Sequence, residues 1–317
     1  MKIVVLDKIA MGEDTPIEVL NSLGELVTYD STAPYEVPER VKDAEVIVTN
    51  KVKITKTVIE EAKRLKLICV FATGFDNIDV TAAKHVGVAV CNVPGYSTDS
   101  VAMFTVATVL SLAAHLKEYG SYVSQGKYSE SSSANKITPV FHEIRGLTWG
   151  IVGGGNIGSA VLKIAEALGA RVIVNKTTPS QLYECVDIDT LCKTSDIITL
   201  HCPLNDKTRE LIDSKRISMM KKSVILVNEA RGAVVNEADV AAAVKEGRIA
   251  AFGCDVYSTE PFSKSHPYYE IKDMDNVILT PHAAWAAYEA RTRCIKIIRD
   301  NIFSFINGEK LNRVDVL

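Results

Sequence analysis

The run Gly153-Gly154-Gly155-Asn156-Ile157-Gly158 limits what this chain can fold into more than any other. It follows the apolar stretch WGIV and opens SAVLKIAEALG, whose apolar residues recur at helical spacing. Glycines spaced G-x-G-x-x-G between a strand and a helix answer three needs. Gly153 allows a tight turn, Gly155 lets a ligand approach the backbone, and Gly158 lets the helix pack closely on the strand. The N–H groups that open the helix, at Asn156 and Ile157, then meet a phosphate. The run predicts a βαβ unit that binds the pyrophosphate of a dinucleotide.

Short apolar runs alternate with helical patterns along most of the chain. The first series of expected strands is 2–7, 25–30, 45–50, 66–71 and 88–93, with helical patterns between them such as 55–64 and 79–85. The second series is 147–153, 170–175, 197–201, 223–228, 250–256 and 276–281. Near-continuous apolar strands suit parallel sheets covered on both faces. Two such series predict an α/β protein of two doubly wound parallel-sheet domains. The long apolar stretch 101–116 reads as a helix bridging them. A polar stretch from Gly120 to Arg145 is expected to wrap the surface. The segment 284–305 reads as a helix returning to the first domain. The domains are therefore expected at 1–98 plus 287–317, discontinuous, and at 99–286, with two crossings forming a hinge.

The 317 residues exceed what one compact core usually fills. The balance of 36 basic against 39 acidic residues, a formal charge of -3, gives no electrostatic reason to expect nucleic acid or an anionic membrane. No run approaches the roughly 18 apolar residues of a membrane span. The seven cysteines show neither CxxC nor Cys/His spacing, so no metal site or disulfide framework is indicated. A reducing cytoplasm is the expectation.

Three ionisable residues fall just past expected strands, where open α/β sheets bind ligands. Arg231 follows SVILVN, Glu260 follows AAFGCDV, and His282 follows NVILT. Each has a structural alternative: a surface salt bridge, a helix-start carboxylate, a capped core histidine. Behind a dinucleotide turn they form a constellation for reducing a 2-oxo acid. The Arg231 fork matches the substrate carboxylate and carbonyl oxygen. Protonated His282 gives its proton to the carbonyl oxygen as hydride reaches carbon. Glu260 would stabilise the imidazolium, raise its pKa and fix the ring tautomer.

At the adenosine end, the acidic residue expected about 20 positions beyond the glycines is absent. The strand ends at Asn175, followed by Lys176 and Thr177. Asn175 can bond a ribose hydroxyl without repelling a 2′-phosphate, and Lys176 with the threonines could hold one. The choice between NAD(H) and NADP(H) stays open.

The chain resembles the D-isomer-specific 2-hydroxyacid dehydrogenase family over essentially its whole length. The matching stretches are ATGFDNIDVTAA (72–83), NVPGYSTDSVA (92–102), GLTWGIVGGGNIG (146–158), HCPLNDKTREL (201–211), LVNEARGAVVNEADV (226–240), GCDVYSTEP (253–261) and TPHAAWAAYEAR (280–291). PGYSTDSVA and PHAAWAAYEAR look most like the glycerate dehydrogenase and hydroxypyruvate reductase branch. The resemblance implies a Rossmann cofactor domain and a flavodoxin-like substrate domain, with Arg231, Glu260 and His282 as the catalytic triplet. It implies that Asp255 contacts the nicotinamide carboxamide and that Thr105 lies at the cofactor. Cys202, Pro203, Thr208, Glu229, Ala230, His282 and Ala284 complete the expected cofactor contacts. The backbone of Thr73 and Gly74 should grip the substrate carboxylate, as free N–H groups in a glycine turn suit an anion. Trp285 would narrow the substrate pocket or fill a core at the domain junction. Met103 departs from the Glu or Gln that relatives usually carry, and Asn175 from the common acid.

The expectation is thus a two-domain enzyme that closes over cofactor and substrate, bringing Thr73 and Gly74 against Arg231. The preferred substrates would be hydroxypyruvate, glyoxylate or similar short 2-oxo acids, and a homodimer is expected. Two alternatives stand beside this: a reductase of branched or aromatic 2-oxo acids, and a nicotinamide-sensing regulator on the same fold.

Overall fold

Apolar runs such as Val46–Thr49 and Leu67–Val70 become strands buried at every position, because helices cover both faces of each sheet. The computed structural model describes residues 1–178 and 182–316. Among them the chain divides into two units, Met1–Ser97 together with the chain from Ala286, and Thr98–Trp285.

In the first unit, β1 (Lys2–Val5), β2 (Glu25–Thr28), β3 (Val46–Thr49), β4 (Leu67–Val70) and β5 (Ala89–Cys91) form a parallel sheet in the order β2-β1-β3-β4-β5. That is the flavodoxin-like order. Between its strands lie α1 (Val37–Val41), α2 (Lys56–Glu61) and α3 (Val80–His85). Their starts are set locally: Asp79 Oδ1 accepts from Ala82 N at 2.8 Å, capping α3.

The second unit contains α4 (Thr98–Ala113), α5 (Leu116–Ser124), β6 (Thr148–Val152), α6 (Asn156–Ala167), β7 (Arg171–Asn175), α7 (Ile188–Thr194), β8 (Ile197–Leu200), α8 (Ser214–Met219), β9 (Ile225–Asn228), α9 (Glu237–Lys245), β10 (Ala251–Cys254) and β11 (Val277–Leu279). All its strand pairs are parallel, in the order β11-β10-β9-β8-β6-β7. An isolated parallel bridge, Val174 to Cys185, adds a one-residue edge beyond β7. Counting it as the third strand yields the Rossmann order with one strand more at the far edge. A single bridged cysteine leaves no apolar run, so the sequence pattern does not reveal this edge.

One sheet face packs Ile151, Val174, Ile197 and Val227 against Val106 and Val109 of α4 and Val161 of α6. The other packs Ile198, Leu200, Leu226 and Phe252 against Leu191, Ile217 and Val240 of α7, α8 and α9. Each fully buried aliphatic or Phe side chain contributes about 1.5–3 kcal/mol. With both faces sealed, the carboxyl ends of the strands are where polar chemistry can stand.

Two expectations need correction. The helix expected at 101–116 is α4 (Thr98–Ala113), which falls in the second unit and packs there on α6, β9 and β10. Gly253 permits this, since a Cβ there would lie 2.4 Å from Thr108 Cγ2. The helix expected from 284 begins later, as α10 (Tyr288–Ile306), and belongs to the first unit. There Asn301 of α10 donates to Asn92 O at 2.9 Å and Arg291 to Met11 O at 2.7 Å. After α5 the chain runs irregularly to residue 145 and exposes Ile137, Val140 and Phe141, with Leu116 and Val123 of α5 also exposed. No single helix among the described residues is long and apolar enough to cross a membrane.

Candidate active site

The glycine turn follows β6. Gly153 has φ +100, and a side chain there would strike the backbone of His201 and Cys202 at 2.6–2.8 Å. A Cβ on Gly158 would lie 2.0 Å from Gly153 O, so the helix can close on the turn only with glycine there. Gly155 has nothing within 4 Å of its missing Cβ, and it is the N-cap of α6. The start of α6, with the amides of Asn156 and Ile157, is therefore open to an anion at the positive end of its dipole.

At the end of β7, Asn175 is half-buried and its amide donates to Val186 O at 3.0 Å. Lys176 is exposed, with Nζ 3.4 Å from Tyr183 Oη. Tyr183 Oη in turn donates to Gly154 O at 3.5 Å. Thr177 is exposed in the same loop. Among the described residues this end offers the neutral polar groups of Asn175, Thr177 and Tyr183 and the Lys176 cation.

Leu200, Asn228 and Cys254 pair in register across β8, β9 and β10. The next residues, His201, Glu229 and Asp255, therefore stand side by side on the face covered by α4. Both Asp255 oxygens are engaged: Oδ1 accepts from Thr280 Oγ1 at 2.6 Å and Ala283 N at 2.8 Å, and Oδ2 from Ala284 N at 2.9 Å. Asp255 thereby fixes the turn that carries His282. Glu229 is 7% exposed, and Oε2 has no hydrogen-bond partner among the described residues; neither has either nitrogen of His201. Burial first, and then the Asp255 charge, push the Glu229 carboxyl up to about 9. Burial holds the His201 imidazole down near 3. Both are neutral in the fold at pH 7. A dinucleotide fits these residues: an open glycine cradle for phosphate, and an orphaned buried oxygen for a ligand polar atom.

A stability consequence follows from Glu229. Its folded pKa lies above the ordinary 4.5, so the folded state holds a proton that the unfolded state releases. Stability falls as pH rises through that interval. His201, depressed from 6.5, acts in the opposite sense only below about 6.5. Between roughly pH 6.5 and 9 the Glu229 slope is unopposed by His201, at most about 1.4 kcal/mol per pH unit. Urea unfolding across that window is expected to show the slope in the native protein and to lack it in Glu229→Gln.

Arg231, Glu260 and His282 leave the carboxyl ends of β9, β10 and β11, three adjacent strands. Asn228 braces the first loop: its Nδ2 donates to Arg231 O at 3.0 Å and its Oδ1 accepts from Ala230 N at 3.1 Å. Arg231 Nη1 donates to Ala230 O at 2.8 Å. The Arg231 and Glu260 loops meet at Gly232, where a Cβ would lie 2.0 Å from Tyr257 C. His282 Nδ1 lies 2.9 and 2.8 Å from the two Glu260 oxygens. An ionised carboxylate only accepts, so Nδ1 carries the hydrogen and Nε2 is left for proton transfer. The pair is partly exposed, 25% for His282 and 28% for Glu260. His282 has φ +53, a left-handed position that the Asp255 bonds on either side of the turn maintain.

Glu260 is held in turn. Tyr257 N donates to Glu260 Oε1 at 3.1 Å, and Tyr257 Oη donates to Thr280 O at 2.8 Å. Glu237 accepts from Ser258 N at 2.8 Å and lies 2.9 Å from His266 Nε2. Sequence reasoning passed over Asn228, Tyr257, Glu237 and Thr280. The signal was present as polar residues closing or flanking buried apolar strands, but the partners are distant in sequence.

The other expected residues separate. Thr208 is occupied within its own loop, donating to Pro203 O at 2.6 Å, while Cys202 is buried. Thr105 is fully buried and donates to Val101 O at 2.8 Å. Ala284 is buried and accepts from Ser100 Oγ at 2.5 Å; Trp285 beside it is half-buried, and Met103 is exposed. In the first unit, Thr73 and Gly74 follow β4. Thr73 Oγ1 donates to Val93 O at 2.9 Å, and among the described residues neither backbone amide donates to a protein acceptor. Such a pair can receive an anion. No group of residues able to hold a metal ion occurs among the described residues.

Residues 106–284 match the family described as D-isomer specific 2-hydroxyacid dehydrogenase, NAD binding domain. Over 99% of this chain and 100% of its own length, the hydroxypyruvate reductase of Blautia hydrogenotrophica is 36% identical. The glycerate dehydrogenase of Methylorubrum extorquens is 35% identical over 99% of each chain. The D-lactate dehydrogenase of Aquifex aeolicus, solved with NAD and lactic acid, superposes with a TM-score of 0.86 at 28% identity over 99% of each chain.

Proposed function

Since the chain belongs to the D-isomer specific 2-hydroxyacid dehydrogenase family, we propose that it reduces a short 2-oxo acid of the hydroxypyruvate or glyoxylate kind to the D-2-hydroxy acid, using NADH or NADPH. The Glu260–His282 pair at the carboxyl end of the sheet, beside the Arg231 loop, carries this reading.

The nicotinamide supplies the hydride when bound. The protein does the rest. Arg231 holds the substrate carboxylate and carbonyl oxygen in a two-pronged, charge-assisted grip, which orients the carbonyl carbon and polarises it. His282 gives its Nε2 proton to the carbonyl oxygen as negative charge develops there, and takes it back in the oxidative direction. Glu260 keeps the Nδ1–H tautomer and so leaves Nε2 facing the substrate oxygen. Asp255 and Tyr257 hold both partners in place. Gly153, Gly155, Asn156, Ile157 and Gly158 receive the pyrophosphate, and Trp285 borders the substrate.

Initial rates with a set of 2-oxo acids, NADH and NADPH run in parallel, test the assignment. Fast turnover of hydroxypyruvate or glyoxylate is expected. A preference for branched or aromatic 2-oxo acids would replace the substrate class, and cofactor binding without turnover would favour a sensor.

Asn175 and Lys176 bear on cofactor choice. A carboxylate at 175 would repel a 2′-phosphate. Asn175→Asp is expected to lower the NADPH-to-NADH ratio of kcat/KM by about tenfold, one charge contact's worth at a half-exposed site. An unchanged ratio would remove this position from the adenosine ribose.

Leu116, Val123, Ile137, Val140 and Phe141 of the second unit are exposed, Ile137 at 81%. Exposed apolar side chains of this kind suit an interface, and we assign them to a homodimer, measurable by light scattering after size exclusion. With seven free cysteines, the protein suits a reducing cytoplasm.

A further inference from the structure

His201, Glu229 and Asp255 stand in a row next to the glycine turn, since Gly153 packs on the backbone of His201 and Cys202. Within the row Asp255 has three donors, whereas Glu229 Oε2 and both His201 nitrogens have no partner among the described residues. A buried carboxyl oxygen left unbonded destabilises the fold, and its presence at a ligand edge points to a ligand atom that completes it.

We propose that Glu229 faces the nicotinamide and exchanges a proton according to the charge of that ring, a neutral acid beside the reduced ring and a carboxylate beside the oxidised, cationic one. This rests on the dehydrogenase reading above. As a balanced step, the protein with Glu229 as COOH plus NAD⁺ gives the complex with Glu229 as COO⁻ plus one H⁺ released to solvent. NADH carries no ring charge and releases none.

The groups around Glu229 set this up. From the end of β10 comes the Asp255 charge, which together with burial keeps the Glu229 proton on in the free protein. The Cys254 thiol and the Tyr257 hydroxyl, both within electrostatic reach of Glu229, are pushed up and neutral. His201 on the β8 side is neutral as well. On the α4 side, the buried Thr105 and Thr108 are uncharged, Thr108 packing on Gly253 of β10. Arg231, two residues along, directs Nη1 to Ala230 O. Glu229 thus holds its proton beside the Asp255 charge, and a ring cation arriving there favours its release.

The test is proton release on nucleotide binding, read with an indicator dye in weak buffer near pH 8, about one unit below the free-protein value. The native protein should release a large fraction of one proton per NAD⁺ (or NADP⁺) bound and none with the reduced form. Glu229→Gln should bind both and release none with either. Fluorescence titration of the native protein alone provides a second reading. Affinity for the oxidised nucleotide should rise with pH between about 7 and 9, by up to tenfold per unit, while that for the reduced one should not. Equal proton release by the native protein and Glu229→Gln overturns the proposal, as do two affinities that move together with pH. In both cases nucleotide binding itself, and so the dehydrogenase reading, survives. Binding of neither nucleotide overturns both.

Discussion

Replacing His282 by alanine is expected to lower turnover by about 10²- to 10⁴-fold while leaving cofactor affinity nearly unchanged. In the proposed mechanism the His282 proton is needed only as charge develops on the substrate oxygen, so its loss falls on kcat. In that mechanism the dinucleotide is held at the glycine turn after β6, four strands along the sheet from β11, which leads into His282. Steady-state rates and a fluorescence titration of the same variant separate the two. A His282→Ala protein turning over at near-normal rate would take the imidazole out of the mechanism.

Replacing Arg231 by alanine is expected to act differently, raising KM as well as lowering kcat. Two hydrogen bonds to a charged group contribute about 1.5–3 kcal/mol each, which converts to a fall in kcat/KM of about 10²- to 10⁴-fold. Arg231→Lys should recover part of the affinity but little of kcat, because an ammonium cannot copy the planar fork. If Arg231→Ala left KM for the 2-oxo acid unchanged, the guanidinium would not be the carboxylate anchor. The arginine loop is held by Asn228, whose bonds to Arg231 O and Ala230 N are main-chain contacts. Truncation of the Arg231 side chain should therefore leave the loop in place.

The strands were legible because burial on both faces erases polar alternation, leaving runs such as IVV, VIVT and LICV. Arg231, Glu260 and His282 were legible as candidates because they stand three to six residues beyond the ends of three such runs. Cys185 was not, since one bridged residue makes no pattern. Nor was the true place of α4: an apolar helix announces burial, but Gly253, which makes room for it, looks like any strand glycine. The bracing of the site was hidden for another reason. Asp255 reaches Ala283 and Ala284 across 28 and 29 positions, and Tyr257 reaches Thr280 across 23. Contacts at that range follow from the sheet, not from local spacing. The same holds for Glu229, which could be placed near a cofactor by position but whose missing hydrogen bond appears only in three dimensions.

Label transfer tests the central chemistry most directly. Cofactor carrying deuterium at the transferable C4 position, incubated with hydroxypyruvate, should yield D-glycerate with one deuterium at C2, and His282→Ala should form almost none in the same time. Unlabelled product, or bound cofactor that never passes its label to any 2-oxo acid, would contradict hydride transfer at the Arg231, Glu260 and His282 site.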